Sequence, residues 1–195
     1  MKKIIMVLAL CIMLTGCGTN KKEKENINNY YANIEAIVLN NGNDTLEIPF
    51  EYNLKVTKKS DNQYEYSVEI FNPKVAMYSI EAVAVDLRTD LKADMFPSCG
   101  IFDEEEINMI PNQANKDKGF PAKIVLNGVS KTPDVQLNMV VGWLNNNKSK
   151  SEKVYFKLKQ TYKEPEVEKP KPVEEVTEEV TEEVTEEVTE EFIEE

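Results

Sequence analysis

The chain has 195 residues, a formal net charge of −12, 30% charged residues and no histidine. That balance leaves no basic footprint for nucleic acid, and the missing histidine removes both the side chain best suited to proton transfer near neutral pH and the commonest metal ligand. The acidity is local: residues 1–25 carry +3, residues 26–163 carry −2 and residues 164–195 carry −13, so a nearly neutral middle precedes a strongly acidic end.

Met1-Lys2-Lys3 opens the chain and eleven consecutive apolar residues follow, Ile4 to Leu14, with the small residues Thr15 and Gly16 behind them. A basic start, a short apolar run and a small-residue cleavage region have the form of a secretory signal peptide. The run is too short to span a bilayer, which takes about 20 apolar residues. The ending Leu14-Thr15-Gly16-Cys17 resembles the lipobox of bacterial lipoproteins. The resemblance implies that a diacylglycerol is attached to the thiol of Cys17, that residues 1–16 are removed as the signal peptide, and that the protein sits lipid-anchored on the extracytoplasmic face of the cell membrane. Lipid burial of about 0.8 kcal/mol per CH₂ makes two or three acyl chains a far firmer anchor than one.

Residues 17–27 comprise the lipidated Cys17 and Gly18 to Asn26 (GTNKKEKEN), small and charged without apolar periodicity, and read as a flexible tether. Ile34 to Leu39 reads as a short strand ahead of the turn signal Asn40-Asn41-Gly42-Asn43-Asp44; a short helix capped by Asn29 and ending at Gly42 is the rival reading. Phe50, Tyr52, Leu54 and Val56 then alternate with polar residues, and so do Tyr64, Tyr66, Val68 and Ile70 after the turn-like Lys59-Ser60-Asp61-Asn62. That pattern predicts a hairpin with one apolar and one wet face, closed by Asn72-Pro73.

Ala76 to Leu87 is apolar at both parities and reads as a strand covered on both sides, with a buried helix as the rival. Arg88 to Ile110 reads as a loop with a short strand near Ile107. Pro111 to Lys118 is a polar turn, Ala122 to Leu126 a strand and Asn127-Gly128 a turn. Val135, Leu137, Met139, Val141 and Trp143 predict a long strand, Asn145 to Lys150 a turn, and Val154, Phe156 and Leu158 the last strand. About seven strands predict an all-β chain and a β-sandwich over residues 28–162. Over residues 46–160 it resembles the immunoglobulin-like domains of Gram-positive lipoproteins, through Tyr64 to Ile70 with Asn72-Pro73, and through Ile110-Pro111-Asn112-Gln113 leading past Gly119-Phe120. In that turn Asn112 stands where the pattern usually has glycine, a substitution asparagine tolerates. The family shares no catalytic residues.

Residues 163–195 form a Pro/Glu-rich spacer (EPEVEKPKP from Glu164) and a repeat of Val-Thr-Glu-Glu from Val176. Dense negative charge and few apolar groups predict a disordered tail.

Among chemically capable residues, Cys99 is the only thiol left once Cys11 departs and Cys17 is lipidated. With no histidine or cation beside it in sequence to lower its pKa, it reads as a small buried hydrophobe. Asp103-Glu104-Glu105-Glu106, near Asp90 and Asp94, offers oxygens for Ca²⁺ but matches no Asp-x-Asp-x-Asp-Gly loop and reads as a solvated acidic loop. No metal, cofactor or catalytic residue is assigned. The expected role is that of a non-enzymatic binding or scaffolding module for an unidentified envelope or extracellular protein, with Arg88–Ile110 as the candidate contact segment. A carboxylate-based cell-envelope hydrolase is the alternative, followed by a small-ligand carrier for an uptake system.

Overall fold

The computed structural model describes residues 17–92 and 95–164. One helix, α1 (Cys17–Leu39), precedes seven strands: β1 (Glu51–Ser60), β2 (Gln63–Phe71), β3 (Tyr78–Val85), β4 (Ser98–Cys99), β5 (Lys123–Ser130), β6 (Asp134–Leu144) and β7 (Ser151–Thr161). They form two antiparallel sheets ordered β1-β2-β5 and β4-β3-β6-β7. The sheets face each other as a β-sandwich.

Period-two alternation builds the inner core. Leu54 and Val56 of β1, paired with Val68 and Tyr66 of β2, meet Leu137, Met139 and Val141 of β6 and Val154 and Phe156 of β7. The hairpin turns at Asp61-Asn62, where Asn62 takes φ 61°, a conformation asparagine accepts more readily than most residues. Asn112 does the same at φ 58°.

The larger sheet is covered on its other face as well. Ile80, Ala82 and Ala84 of β3 point into the sandwich, while Val83 and Val85, with Val140 of β6, point outward into a second apolar cluster. That cluster is closed by Tyr30, Ile34 and Ile37 of α1, spaced to lie on one helical face. Burying these three side chains stabilises the docked helix by roughly 1.5–3 kcal/mol each. The both-parity apolar run of β3 is therefore a strand between two layers.

Two expectations give way here. Ile34 to Leu39 is helix, not strand, because only the helical period brings Tyr30, Ile34 and Ile37 onto the sheet together. Residues 17–27, expected as a flexible tether, belong to the same unbroken helix: their Lys and Glu residues have good helix propensity, and the docked second half supplies the costly nucleus. Asn29 sits inside the helix and does not cap it. The signal peptide and the acidic tail lie outside the described residues, Lys163 and Glu164 excepted.

A polar chain pins the middle of α1. Glu81, Gly142 and Lys153 are successive neighbours across β3, β6 and β7. The Lys153 ammonium donates to Asn33 Oδ1 at 3.0 Å, Asn33 Nδ2 donates to Asn29 Oδ1 at 3.1 Å, and Asn29 Nδ2 donates to Glu81 Oε1 at 2.8 Å. Two helix amides thus link opposite charges on either side of a glycine.

Two loop expectations also change. Asn127-Gly128 is not a turn: β5 runs straight through it, with Gly128 opposite Tyr66, and the reversal comes after Ser130. The short strand expected near Ile107 lies at Ser98–Cys99 instead. Ile107 gives its carbonyl to the Ile80 N–H and packs its side chain, partly buried, against the inner core, next to a bridge between Met77 and Met109.

Candidate functional site

At one end of the sandwich the turn after β3 and the start of β6 are tied by the chain's one arginine. The Arg88 guanidinium donates to both carboxylate oxygens of Asp86, at 2.8 and 2.7 Å. It also donates to Asp134 Oδ2 at 3.2 Å and to the Asp134 carbonyl at 2.9 Å. A planar fork suits this bidentate geometry. Burial by itself would push the Asp86 carboxyl up, but the hydrogen bonds and charge of Arg88 outweigh it and hold the group below its ordinary value. Both acids are therefore engaged, and Asp134 further accepts from the Thr161 hydroxyl at 2.9 Å.

Beside this cluster opens a cavity of about 770 Å³. Phe96, Pro97, Val129 and Val135 supply apolar wall, and Tyr66, Asn127 and Lys131 supply polar groups. Tyr66 belongs to the inner core and is 8% exposed. Its ring lies over Gly128, where an added Cβ would come within 2.3 Å of the phenol oxygen. An isolated glycine inside a strand marks such a close approach. Burial, followed by the charge of Asp86, raises the Tyr66 phenol to about 12, so it stays protonated and able to donate. No buried side-chain nitrogen or oxygen among the described residues lacks a hydrogen-bond partner, so the Tyr66 hydroxyl, which bonds to no described residue, meets solvent at the cavity wall.

The residues singled out from sequence are scattered. Cys17 opens α1. Cys99 is buried in β4 opposite Ala82; burial, with the charge of Asp103 adding, pushes its thiol up to about 12, which leaves it inert as a nucleophile. Asp103 accepts from the Gly100 N–H and closes the turn after β4, while Glu106 pairs with Lys148 at 3.9 Å. Among the described residues no three acidic or cysteine side chains converge as a metal site would need. Asp94 lies outside the described residues.

The Arg88–Ile110 segment divides between two tasks. Arg88, Thr89, Met95, Phe96 and Pro97 border the cavity, whereas Phe96 and Ile101 also pack under α1. Tyr66, Gly128, Lys131 and Asp134 carried no distinguishing mark as site residues. The one available signal was Gly128 within an otherwise strand-like run.

No protein-family model and no curated protein matches this sequence. An X-ray structure of a Northeast Structural Genomics Consortium target, SoR45, is similar over 58% of this chain and 88% of its own, at 14% identity and a TM-score of 0.34; a likeness that slight carries no argument about function. The class defined by the strands themselves is a two-sheet, mostly β sandwich.

Proposed function

We propose that the protein is a lipid-anchored lipoprotein of the bacterial envelope, whose immunoglobulin-like sandwich serves as a non-enzymatic binding or scaffolding module outside the membrane. The observation that carries this reading is the sequence Leu14-Thr15-Gly16-Cys17 directly behind eleven apolar residues and a basic start. Lipid on Cys17 anchors the chain without a spanning segment; among the described residues no helix is long and apolar enough to cross a membrane.

The strand order supports the immunoglobulin-like type. The chain passes from one sheet to the other between β2 and β3, returns between β4 and β5, and crosses again between β5 and β6, as the Greek-key connections of such sandwiches do. The binding role draws support from the end cavity and its loops, since sandwiches present recognition surfaces on the loops at their ends. A buried, high-pKa Cys99 and a sequence without histidine argue against a cysteine nucleophile or a histidine base.

Growing the bacterial host with radioactive palmitate tests the anchor. Wild-type protein is expected to carry label and sediment with membranes, and Cys17→Ser to lose both. Unlabelled wild-type protein would refute the reading.

A further inference from the structure

We propose that Asn41-Gly42 is a self-modifying site: the Asn41 side chain deamidates through a cyclic imide to aspartate and isoaspartate, while the fold protects the chain's other such pair, Asn127-Gly128. In both pairs the backbone nitrogen of the glycine can attack the asparagine Cγ, because glycine puts no side chain in the way. Asn-Gly occurs at these two places only, so structure decides between them.

At Asn41 the parts are in place. The pair lies in the exposed turn behind α1. Asn41 and Asn43 give their N–H groups to the carbonyls of Val38 and Asn40, whereas the Gly42 N–H meets no acceptor among the described residues. Gly42 holds φ at +96° with nothing within 4 Å of where a Cβ would stand, so no packed atom opposes its turning toward the side chain. Asn138, 7% exposed on β6, donates from Nδ2 to Asn41 Oδ1 at 3.2 Å. That oxygen gains negative charge when Cγ is attacked, and a donor already aimed at it lowers the barrier.

The step balances with water alone. The Gly42 nitrogen gives its proton to solvent and bonds to Cγ; the Cγ–Nδ2 bond breaks and the amide leaves as ammonia. Water then opens the ring. Addition at Cγ gives aspartate, and addition at the main-chain carbonyl gives isoaspartate, with the chain rerouted through Cγ. Either product sets a carboxylate just past Leu39, the last residue of α1, where the helix end already carries negative charge.

At Asn127 the same ring is denied. The pair sits within the β2–β5 ladder opposite Ser67 and Tyr66, and the peptide plane between its two residues is tied to β2 through one of its polar groups. The Tyr66 ring covers Gly128. This inference depends neither on the lipid nor on the binding role.

The test is peptide mapping of the full chain in nonionic detergent, incubated in mildly alkaline buffer made with heavy-oxygen water. Label is expected to enter at residue 41 as both aspartate and isoaspartate. Entry at residue 127 is expected to be at least about a hundredfold slower, since it waits on opening of the sheet. In urea both sites are expected to convert at similar rates. Asn41→Gln is expected to take up no label at residue 41, its ring being one atom larger. Asn138→Ala is expected to convert residue 41 about threefold more slowly, with an unlabelled residue 127 showing that the variant is folded. Residue 41 converting no faster than residue 127 in the folded chain overturns the proposal, and so does conversion at residue 41 about a hundredfold slower than in urea. An unchanged rate in Asn138→Ala overturns the part assigned to that donor.

Discussion

One hydroxyl satisfies both backbone groups of a single residue: the Tyr30 oxygen accepts from the Phe96 N–H at 2.7 Å and donates to the Phe96 carbonyl at 3.3 Å. The pair stitches the middle of α1 to the segment leading into β4, across 66 positions of sequence. Tyr30→Phe keeps the ring and removes this clamp, leaving a buried N–H unmet. The expected cost is about 1–3 kcal/mol, read as a lower urea midpoint with an unchanged slope.

The apolar half of the same contact is tested at Ile34. Ile34→Ala opens a void between α1 and the valines of β3 and β6, at an expected cost of about 2–4 kcal/mol. The exposed Glu35, one position along the helix, is the control: Glu35→Ala is expected within about 0.5 kcal/mol of wild type. Equal effects of the two would show that α1 is not docked through the Tyr30–Ile34–Ile37 face.

Gly100 allows no side chain. It holds φ at +76°, and a Cβ there would lie 1.8 Å from the Ile80 carbonyl oxygen. Gly100→Ala therefore combines left-handed strain with a collision against backbone, which cannot swing aside. Loss of about 3 kcal/mol or more is expected, visible as a depressed melting temperature, and release of β4 is expected to expose the Cys99 thiol to Ellman's reagent.

The pH dependence has a definite sign at the alkaline end. Burial raises Cys99 from an ordinary 9.0, and Tyr66 from 10.0, to about 12 each. Above pH 9 the unfolded chain releases protons that the folded chain retains, so this contribution is complete below pH 9 and is lost as pH rises toward 12. Cys99→Ala is expected to flatten the decline by about one proton, measured as urea stability from pH 8 to 11. At the acid end the sign reverses: Asp86 lies below its ordinary 3.8 through Arg88. Its contribution is present above that value and fades as pH falls through the folded one.

Much of this architecture was legible because alternation in a half-buried strand is written residue by residue. Val135 to Trp143 and Leu54 to Val56 announce their inward faces, and the double apolar parity of Ala82 to Val85 announced a second cover. What that cover was remained hidden. Ile34 to Leu39 is nearly all apolar, so its period is masked, and only three side chains of α1 sit deep in the cluster. Asn127-Gly128 misled for a different reason. An Asn-Gly pair favours turns through local backbone preference, yet here the glycine answers a tertiary demand, room for the Tyr66 ring. The cavity assembles Tyr66, Arg88 and Lys131 from three separate segments, a juxtaposition made by strand pairing and absent from any local window.

An unbroken α1 has a mechanical consequence. From Cys17 to Tyr30 the helix rises about 20 Å and meets the sandwich through a fastened turn, with no joint between. Whatever grips residue 17 is thereby held off the sandwich by a rod of fixed length, where slack chain would have let the distance vary.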